Sequence, residues 1–230
     1  MDTSAIIRMF HVHKRYGSKH ALIDITLDIH KNEFLFINGP SGAGKTTLLK
    51  LLYLGENASE GQILVDGMNL ARIPNKRIPF LRRKLGIIFQ DYKLIPTKSV
   101  FDNIALVLNA RGGSNRLIHK KVRSVLRTVG MESKQHAMPT SLSGGEQQRI
   151  AVARAVVGDP YILLADEPTG NLDEESSSII FSLIKKFHGR GTTVIIATHD
   201  RGIMDKMGGR TVYLSQGRIL QPDQKPVHII

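Results

Sequence analysis

The sequence predicts an α/β fold, in which a mainly parallel core sheet carries an N-terminal antiparallel β part and a helical subdomain. Three observations predict it: short apolar runs that suit strands recur along the chain, amphipathic helical patterns lie between them, and a glycine-rich turn joins one strand directly to a helix. The 230 residues are 41% hydrophobic and 23% charged. These values are ordinary for a globular domain and exclude a disordered or collagen-like chain.

The composition excludes several further classes of protein. There is no cysteine, which excludes a disulfide framework, a thiol nucleophile and a cysteine-ligated zinc site. No apolar run approaches the roughly 18 to 20 residues of a membrane-spanning helix. No secretory leader opens the chain, so we expect a cytoplasmic protein.

The N-terminal part predicts strands followed by the glycine-rich turn. We expect strands within residues 6–37, because residues 25–29 alternate in polarity as a half-buried strand does and residues 34–37 are uniformly apolar. The glycine-rich turn comes next, and a helix is predicted over residues 46–54. Strand, glycine-rich loop and helix in this order recur in nucleotide-binding α/β folds.

The middle of the chain predicts a mostly helical insertion over about residues 91–157. A strand is expected at 85–89 before it. One helix places its apolar side chains on one face and its basic side chains on the other. The apolar positions are Ile118, Val122, Val125, Leu126 and Val129, and the basic ones are Lys120, Lys121, Arg123 and Arg127. A second helix is predicted over 143–157.

The C-terminal part returns to the core pattern. Strands are predicted at residues 162–165, 193–197 and 211–214, with a helix over 174–188 between the first two. We therefore predict a single domain over residues 1–230. Its core comprises residues 1–90 and 158–230, and its helical subdomain comprises about 91–157.

Positive charge is concentrated in one segment. The chain has 32 Lys and Arg against 20 Asp and Glu, a net charge of +12. Residues 72–127 contain 14 Lys or Arg and only two acidic residues, Asp91 and Asp102, so this basic segment carries the whole excess. It suits an anionic partner, which could be a membrane surface, nucleic acid or an acidic protein face. A solvated basic face without a partner is the alternative.

The glycine-rich turn has the residue types of a phosphate-binding loop, with the pattern G-x-x-x-x-G-K-[ST]. Its residues are Gly39, Pro40, Ser41, Gly42, Ala43, Gly44, Lys45 and Thr46. Glycines allow backbone N–H groups to face phosphate oxygens, and the helix that follows directs its positive end at the same anion. We expect Lys45 to reach the β- and γ-phosphates and the Thr46 hydroxyl to ligate Mg²⁺.

Two acidic residues end the predicted strand at 162–165. Ligands bind at the carboxyl ends of the strands of a parallel sheet, so Asp166 is expected beside the phosphate loop, where it holds Mg²⁺ directly or through water. Glu167 can project toward the γ-phosphate and polarise the attacking water. The phosphate loop is what makes this interpretation specific, since a strand that ends in Asp-Glu is common.

A second anion-binding motif precedes the helix at 143–157. In the sequence Leu142-Ser143-Gly144-Gly145-Glu146-Gln147, the Ser143 hydroxyl, the glycine N–H groups and a helix N-terminus together suit a phosphate. The chain thus has two such motifs but one lysine-bearing loop. The economical arrangement is a pair of chains, in which each offers its second motif to the nucleotide of the other.

With these motifs in order, the sequence resembles the ATP-binding cassette (ABC) ATPase family over nearly its whole length. The resemblance implies that Tyr16 stacks on adenine, that Gln90 touches Mg²⁺ and the attacking water, and that His199 contacts the γ-phosphate. Asp173, in Gly170-Asn171-Leu172-Asp173, would lie at the dimer seam. It also implies nucleotide contacts for Thr47, Ser143, Gly144, Gly145 and Glu146, and magnesium ligation by Thr46, Gln90 and Asp166.

Several stretches are similar to the bacterial cell-division branch of that family, notably residues 34–53, 81–95 and 100–105. This likeness implies an ATPase subunit that acts with an integral membrane partner in the control of cell-wall hydrolysis, on the cytoplasmic face of the inner membrane. ATPases of lipoprotein-release and macrolide exporters share the core motifs and are the alternative. Asn32 stands where the family usually has glycine, and Asn tolerates a left-handed turn.

Two other classes of function are disfavoured by the same residues. DNA-repair ATPases resemble this chain but carry a long coiled coil between the glutamine and the second motif. Only 51 residues separate Gln90 from Leu142, and no sustained heptads appear, so we expect no nucleic acid. A non-catalytic scaffold would not need Lys45, Asp166 and Glu167. We also expect the basic segment to contact anionic lipid.

Overall fold

The computed structural model describes residues 5–220, and within this range it has ten strands and seven α-helices. The strands are β1 (Ala5–Tyr16), β2 (Lys19–His30), β3 (Phe34–Asn38), β4 (Glu60–Val65), β5 (Met68–Asn69), β6 (Leu85–Ile88), β7 (Ile162–Asp166), β8 (Thr193–Ala197), β9 (Arg210–Ser215) and β10 (Arg218–Ile219). The helices are α1 (Lys45–Leu52), α2 (Ile78–Arg83), α3 (Val100–Asn109), α4 (Asn115–Thr128), α5 (Gly144–Val156), α6 (Glu174–His188) and α7 (Arg201–Met207).

The chain divides into two compact units. The first comprises residues 1–82 and 195–230, and the second comprises residues 83–194. The boundary passes through β8, whose first two residues belong to the second unit.

The first unit begins with a four-stranded antiparallel sheet in the order β2-β1-β4-β5. Alternate side chains of its strands are buried, including Ile7 and Met9 of β1 and Ile25 and Ile29 of β2. One covered and one open face produce this alternation. The predicted N-terminal antiparallel part is confirmed.

The same unit contains a parallel pair of strands that positions the glycine-rich loop. Strand β3 pairs with β9 in parallel, with Leu35 opposite Arg210 and Asn38 opposite Tyr213. Its residues from Leu35 to Ile37 are fully buried, as expected for a strand covered on both faces. The loop leaves the carboxyl end of β3 and enters α1.

The second unit combines four helices with the parallel pair β6 and β7. Helix α5 packs against α3, α4, α6 and β6, and its side chains from Ile150 to Ala153 are all buried. Helix α4 buries one face and exposes Arg123 and Arg127 on the other. The predicted amphipathic helix, the parallel strands and therefore the α/β fold class are confirmed.

Predicted and observed boundaries agree to within one or two residues for most core elements. The helix at 174–188 and the strand at 193–197 coincide with α6 and β8. The antiparallel strands β4 and β5 were not predicted, because their six and two residues lack a sustained apolar alternation. Within the described range, no helix is both long enough and apolar enough to span a membrane.

The close approach of α5 to β6 predicts a specific cost for one substitution. A methyl group built on Gly86 of β6 would lie 2.4 Å from the backbone oxygen of Ala155 in α5. Gly86→Ala must therefore push the helix from the strand, and we expect the free energy of unfolding to fall by about 1–3 kcal/mol. Urea unfolding followed by circular dichroism measures it.

The matched control for this substitution is Gly189→Ala. Gly189 has a φ of −60°, and a methyl group there would meet no atom closer than 3.6 Å. We expect the free energy of unfolding of this variant to lie within about 0.5 kcal/mol of that of the parent. Equal stabilities of the two variants would contradict the packing argument.

Candidate active site

The glycine-rich loop approaches other backbone segments so closely that side chains are excluded. A methyl group on Gly39 would lie 2.0 Å from the Leu214 backbone oxygen, and one on Gly44 would lie 2.6 Å from that of Ala21. Gly44 also has a φ of +108°, which favours glycine. The glycines therefore allow the loop to pack directly against the backbone of neighbouring segments.

Lys45 places a cation on this loop. Its side chain is buried, and its Nζ donates hydrogen bonds to the Gly39 oxygen at 2.8 Å and the Pro40 oxygen at 3.2 Å. Helix α1 has no acidic residue in its first turn and no side-chain cap at Gly44. An uncapped helix N-terminus beside a lysine suits an anionic group.

The residues that follow β8 lie at the same edge of the first unit. The Thr198 N–H donates to the Ile37 oxygen at 3.1 Å, so His199 comes directly after a residue that is hydrogen-bonded beside the end of β3. Asn38, the residue before the loop, is buried and its Nδ2 has no hydrogen-bond partner among the described residues. An unsatisfied buried donor at this point fits a site that receives a polar ligand.

Tyr16 ends β1 with a half-exposed ring that two other side chains support. The Lys14 Nζ lies 4.7 Å from the ring centroid and donates to the Glu56 carboxylate and to the Asn57 oxygen, each at 2.9 Å. The Lys14 hydrogen bond, with a further contribution from Tyr16, lowers the pKa of Glu56. Lys14 was missed in the sequence, although its spacing of two from Tyr16 places both on one face of the strand.

In the second unit, the predicted carboxylates lie at the end of a parallel strand. Asp166 is the last residue of β7, and Glu167 follows it with a φ of +45°. Such a conformation is strained for a residue with a side chain, and strain of this kind is found at functional positions. A methyl group on Gly170 would lie 3.7 Å from both the Glu167 Cβ and the Gln90 Nε2. The structure thus brings Gln90 and Glu167 to the same glycine.

The motif before α5 forms a reciprocal cap. Ser143 Oγ accepts from the Glu146 N–H at 3.2 Å, and Glu146 Oε2 accepts from the Ser143 N–H at 3.0 Å. This capping box fixes the helix start. The Glu146 carboxylate also forms an ion pair with Lys134 at 2.6 Å.

Asp173 is the N-cap residue of the neighbouring helix α6. Its carboxylate accepts from the Ser176 N–H at 2.8 Å and from the Ser176 hydroxyl at 2.9 Å. A methyl group on Gly145 would lie 2.7 Å from Ser176 Oγ, so the starts of α5 and α6 are adjacent. A hollow of about 50 Å³ lies between them, lined by Ser143, Gly145, Glu146, Arg149, Ser176 and Ile179.

Two polar residues of α5, the half-buried Arg154 and the buried Gln148, support the predicted site residues and were missed in the sequence. Arg154 donates to the Tyr92 and Lys93 oxygens, both at 2.6 Å, in the turn that follows Gln90. Burial lowers the pKa of its guanidinium. Gln148 is fully buried and donates to the Pro168 oxygen. Their signal in the sequence is weak, because nothing marks them as facing inward.

The donor types fit Mg²⁺ held chiefly by a phosphate ligand. Within residues 5–220, no group of three or more His, Asp or Glu could hold a metal ion alone. Magnesium is commonly bound by one or two protein oxygens together with substrate phosphates and water. A hydroxyl such as that of Thr46 and a carboxylate such as that of Asp166 are of this kind.

A phosphate-type loop between a buried strand and a helix, with an acidic pair ending another parallel strand, defines a P-loop nucleotide-binding protein. Comparisons with known proteins give the family. The family model described as ABC transporter matches residues 22–170. The Mycobacterium tuberculosis cell division ATP-binding protein FtsE is 44% identical over 97% of this chain and 98% of its own length. The Escherichia coli FtsE is also 44% identical, over 93% and 97%.

Solved structures give the same result. The dimeric post-hydrolysis state of the ATP-binding cassette MJ0796, bound to ADP and Pi, has a TM-score of 0.86 and 33% sequence identity. The match covers 94% of this chain and 97% of that one. The chain belongs to the ABC transporter family and, within it, to the FtsE group of cell division ATP-binding proteins.

The capping box predicts a dependence of stability on pH. The Lys134 and Ser143 hydrogen bonds lower the pKa of Glu146 below its ordinary value of 4.5. A lowered pKa in the folded state stabilises the protein above pH 4.5, and this stabilisation is lost as the pH falls through the folded-state pKa. Glu146→Gln removes the charge that pairs with Lys134, so we expect a lower free energy of unfolding near neutral pH, and this loss should shrink as the pH is lowered toward about 3.

Urea unfolding of the parent and the variant over that pH range measures the effect. The control is Asp205→Asn, which changes an exposed carboxylate of α7 with no hydrogen bond among the described residues. We expect the free energy of unfolding of this control to stay close to that of the parent. A cost for Glu146→Gln that stayed constant down to about pH 3 would contradict the role given to the ionised carboxylate.

Proposed function

We propose that this chain is the ATP-binding and ATP-hydrolysing subunit of a membrane ABC complex of the cell-division type, and that it works as a head-to-tail homodimer. One observation carries the proposal: identity of 44% to the M. tuberculosis FtsE extends over 97% of the chain. The dimeric form of the MJ0796 cassette with ADP and Pi supports both the pairing and the reaction.

The first unit supplies the nucleotide-binding loop. Tyr16 stacks on adenine with the face of its ring that Lys14 does not cover. The backbone amides of residues 39–47 hold the phosphates, Lys45 neutralises the β- and γ-phosphate oxygens, and His199 contacts the γ-phosphate. The uncapped start of α1 and the partnerless Asn38 donor support this assignment.

The second unit supplies the hydrolytic groups. Glu167 accepts a proton from the attacking water, and Gln90 orients that water. Thr46, Gln90 and Asp166 hold Mg²⁺. When bound, Mg²⁺ neutralises charge that develops on the transferred phosphoryl group. The strained backbone of Glu167 and its proximity to Gln90 through Gly170 support this pairing of roles.

The partner chain completes each site. Ser143, Gly144, Gly145 and Glu146 contact the nucleotide of the other protomer, and Asp173 lies at the seam. Closure therefore requires ATP on both loops, and hydrolysis opens the seam. The starts of α5 and α6 lie side by side, which supports one continuous surface for the contact with the partner chain.

The membrane partner is an integral subunit resembling FtsX, which couples ATP turnover to the control of peptidoglycan hydrolysis. It docks on residues 90–108, on the cytoplasmic face of the inner membrane. Asn103 organises this segment: it is fully buried, and its side chain bonds to Ile95, Lys98 and Ser99. A rigid, non-helical turn before α3 suits a docking surface.

Within the basic segment, we assign the proposed lipid contact to helix α4. Several arginines of the basic segment are occupied within the fold: Arg82 donates to the Tyr53 and Leu54 oxygens, Arg83 to the Ala110 oxygen, and Arg111 to the Gly158 oxygen. Arg116, Lys120 and Arg123 on α4 are exposed. Each exposed basic residue near an anionic surface contributes about 1 kcal/mol.

Substitution of Glu167 tests the reaction directly. Glu167→Gln keeps the shape of the side chain but cannot accept the proton, so we expect ATP turnover to fall by at least about 100-fold. ATP should remain bound and the dimer closed. Phosphate release and analytical ultracentrifugation with ATP and Mg²⁺ measure the two effects.

The control is Glu175→Gln, an exposed carboxylate in the first turn of α6, which should keep normal turnover. Normal turnover in Glu167→Gln would remove Glu167 from the mechanism. A monomeric Glu167→Gln variant in saturating ATP would refute the shared site.

A charge reversal on α4 separates the two modes of membrane attachment. Replacement of Arg116, Lys120 and Arg123 by Glu should abolish flotation with vesicles rich in anionic lipid, because attraction turns into repulsion. Co-purification of an FtsX-like subunit from detergent-solubilised membranes should persist, since docking uses residues 90–108. The matched control replaces Lys185, Lys186 and Arg190, which are exposed on or near α6.

The outcomes discriminate between the contacts. If the parent protein bound anionic vesicles equally well at low and high salt, this result would contradict the proposed lipid contact. If the control triple variant also lost flotation, vesicle binding would depend on the net charge of the protein and not on the basic residues of α4. Absence of any integral membrane partner from the purified complex would contradict the proposed assembly.

A further inference from the structure

The motif at the start of α5 contains a carboxylate where a polyanion is proposed to bind. Glu146 occupies the first turn of the helix and lines the same hollow as Ser143 and Gly145. Its side chain is 17% exposed, so solvent screens it only partly. A bare carboxylate at this position would repel a triphosphate.

Lys134 balances that charge. It comes from the short 3-10 turn Glu132–Lys134, twelve residues before Glu146, and its Nζ lies 2.6 Å from Glu146 Oε1. The other carboxylate oxygen, Oε2, accepts from the Ser143 N–H. Both oxygens of Glu146 are therefore engaged, and the carboxylate is paired with a cation within the same unit.

We propose that Lys134 is a nucleotide-positioning residue of the second motif, which neutralises Glu146 so that the start of α5 can approach the triphosphate of ATP bound by the partner chain. This inference rests on the proposed function, in which the motif contacts that ATP. The Lys134 side chain is 44% exposed, so its ammonium group can pair with Glu146 and contact solvent at the same time. Arg149 lines the same hollow and adds positive charge.

A merely structural role for the ion pair predicts a different result. If Lys134 only supported the helix cap, its removal would lower the free energy of unfolding of the monomer, and the folded variant would still pair with ATP as the parent does. If it neutralises Glu146, removal of both charges should restore ATP-dependent pairing. The charge dependence of pairing therefore separates the two roles.

The experiment measures ATP-driven dimerisation in the Glu167→Gln background, by analytical ultracentrifugation with ATP and Mg²⁺. We expect Lys134→Met to weaken dimerisation about tenfold, and Lys134→Arg to retain it. The Lys134→Met/Glu146→Gln double variant should dimerise within about twofold of Glu146→Gln alone. The defect of Lys134→Met should shrink from about 0.05 M to about 0.5 M salt, because screening weakens the repulsion.

The matched control is Arg210→Met. Arg210 pairs with Glu33 at 2.5 Å, with side-chain exposures of 42% and 15%, close to those of Lys134 and Glu146. This pair lies at the start of β9 and before β3, at the opposite end of these strands from the glycine-rich loop. We expect Arg210→Met to dimerise as the parent does. Unfolding midpoints of all variants identify any that lose structure, and Lys134→Gln then replaces Lys134→Met.

Two results overturn the inference while the proposed function stands. These are parent-like dimerisation of Lys134→Met, and a double variant that stays as weak as Lys134→Met. Failure of the Glu167→Gln parent to dimerise with ATP overturns the proposed function, and this inference with it.

Discussion

Helix α5 is the element on which the second unit depends, because its buried side chains hold the turns that carry the predicted hydrolytic groups. Arg154 bonds to the turn after Gln90, and Gln148 bonds to Pro168 directly after Glu167. Tyr92 and Lys93 have positive φ values of 59° and 49°, a conformation that needs such external support. Hydrogen bonds from a charged group contribute more than those between neutral groups, so the half-buried Arg154 ties α5 to this turn.

The sequence predicted those parts of the molecule whose chemistry is local. The loop at 39–46 and the acidic pair were predicted as site residues because each residue type suits the group that it is proposed to bind, and their roles stay predictions. Asn32 was expected to adopt a left-handed turn in place of glycine, and its φ is +57°. Lys14, Gln148 and Arg154 were missed because their partners lie far away in the chain. Such contacts are set by tertiary packing, which periodicity does not encode.

The basic segment shows how composition misleads when partners are ignored. The charge count treated every Lys and Arg of residues 72–127 as available to an anion. In the fold, Arg83 and Arg111 bind backbone oxygens and Lys121 pairs with Asp159 at 2.6 Å. An arginine that donates to backbone oxygens keeps its charge, but its guanidinium is held in place and has fewer donors left for an anion. The charge count of the sequence therefore overstates how many basic side chains could contact the proposed anionic surface.

The capping box determines which backbone N–H groups at the start of α5 have a partner within the fold and which are left for the ligand proposed there. The Glu146 N–H bonds to Ser143 Oγ, and the Gln147 N–H bonds to the Ser143 backbone oxygen. A helix leaves its first N–H groups without intrahelical partners, and within residues 5–220 those of Gly144 and Gly145 donate no hydrogen bond. Glycine leaves both uncovered. The cap thus removes the deeper donors and retains the two at the tip, which is where an incoming phosphate would meet them.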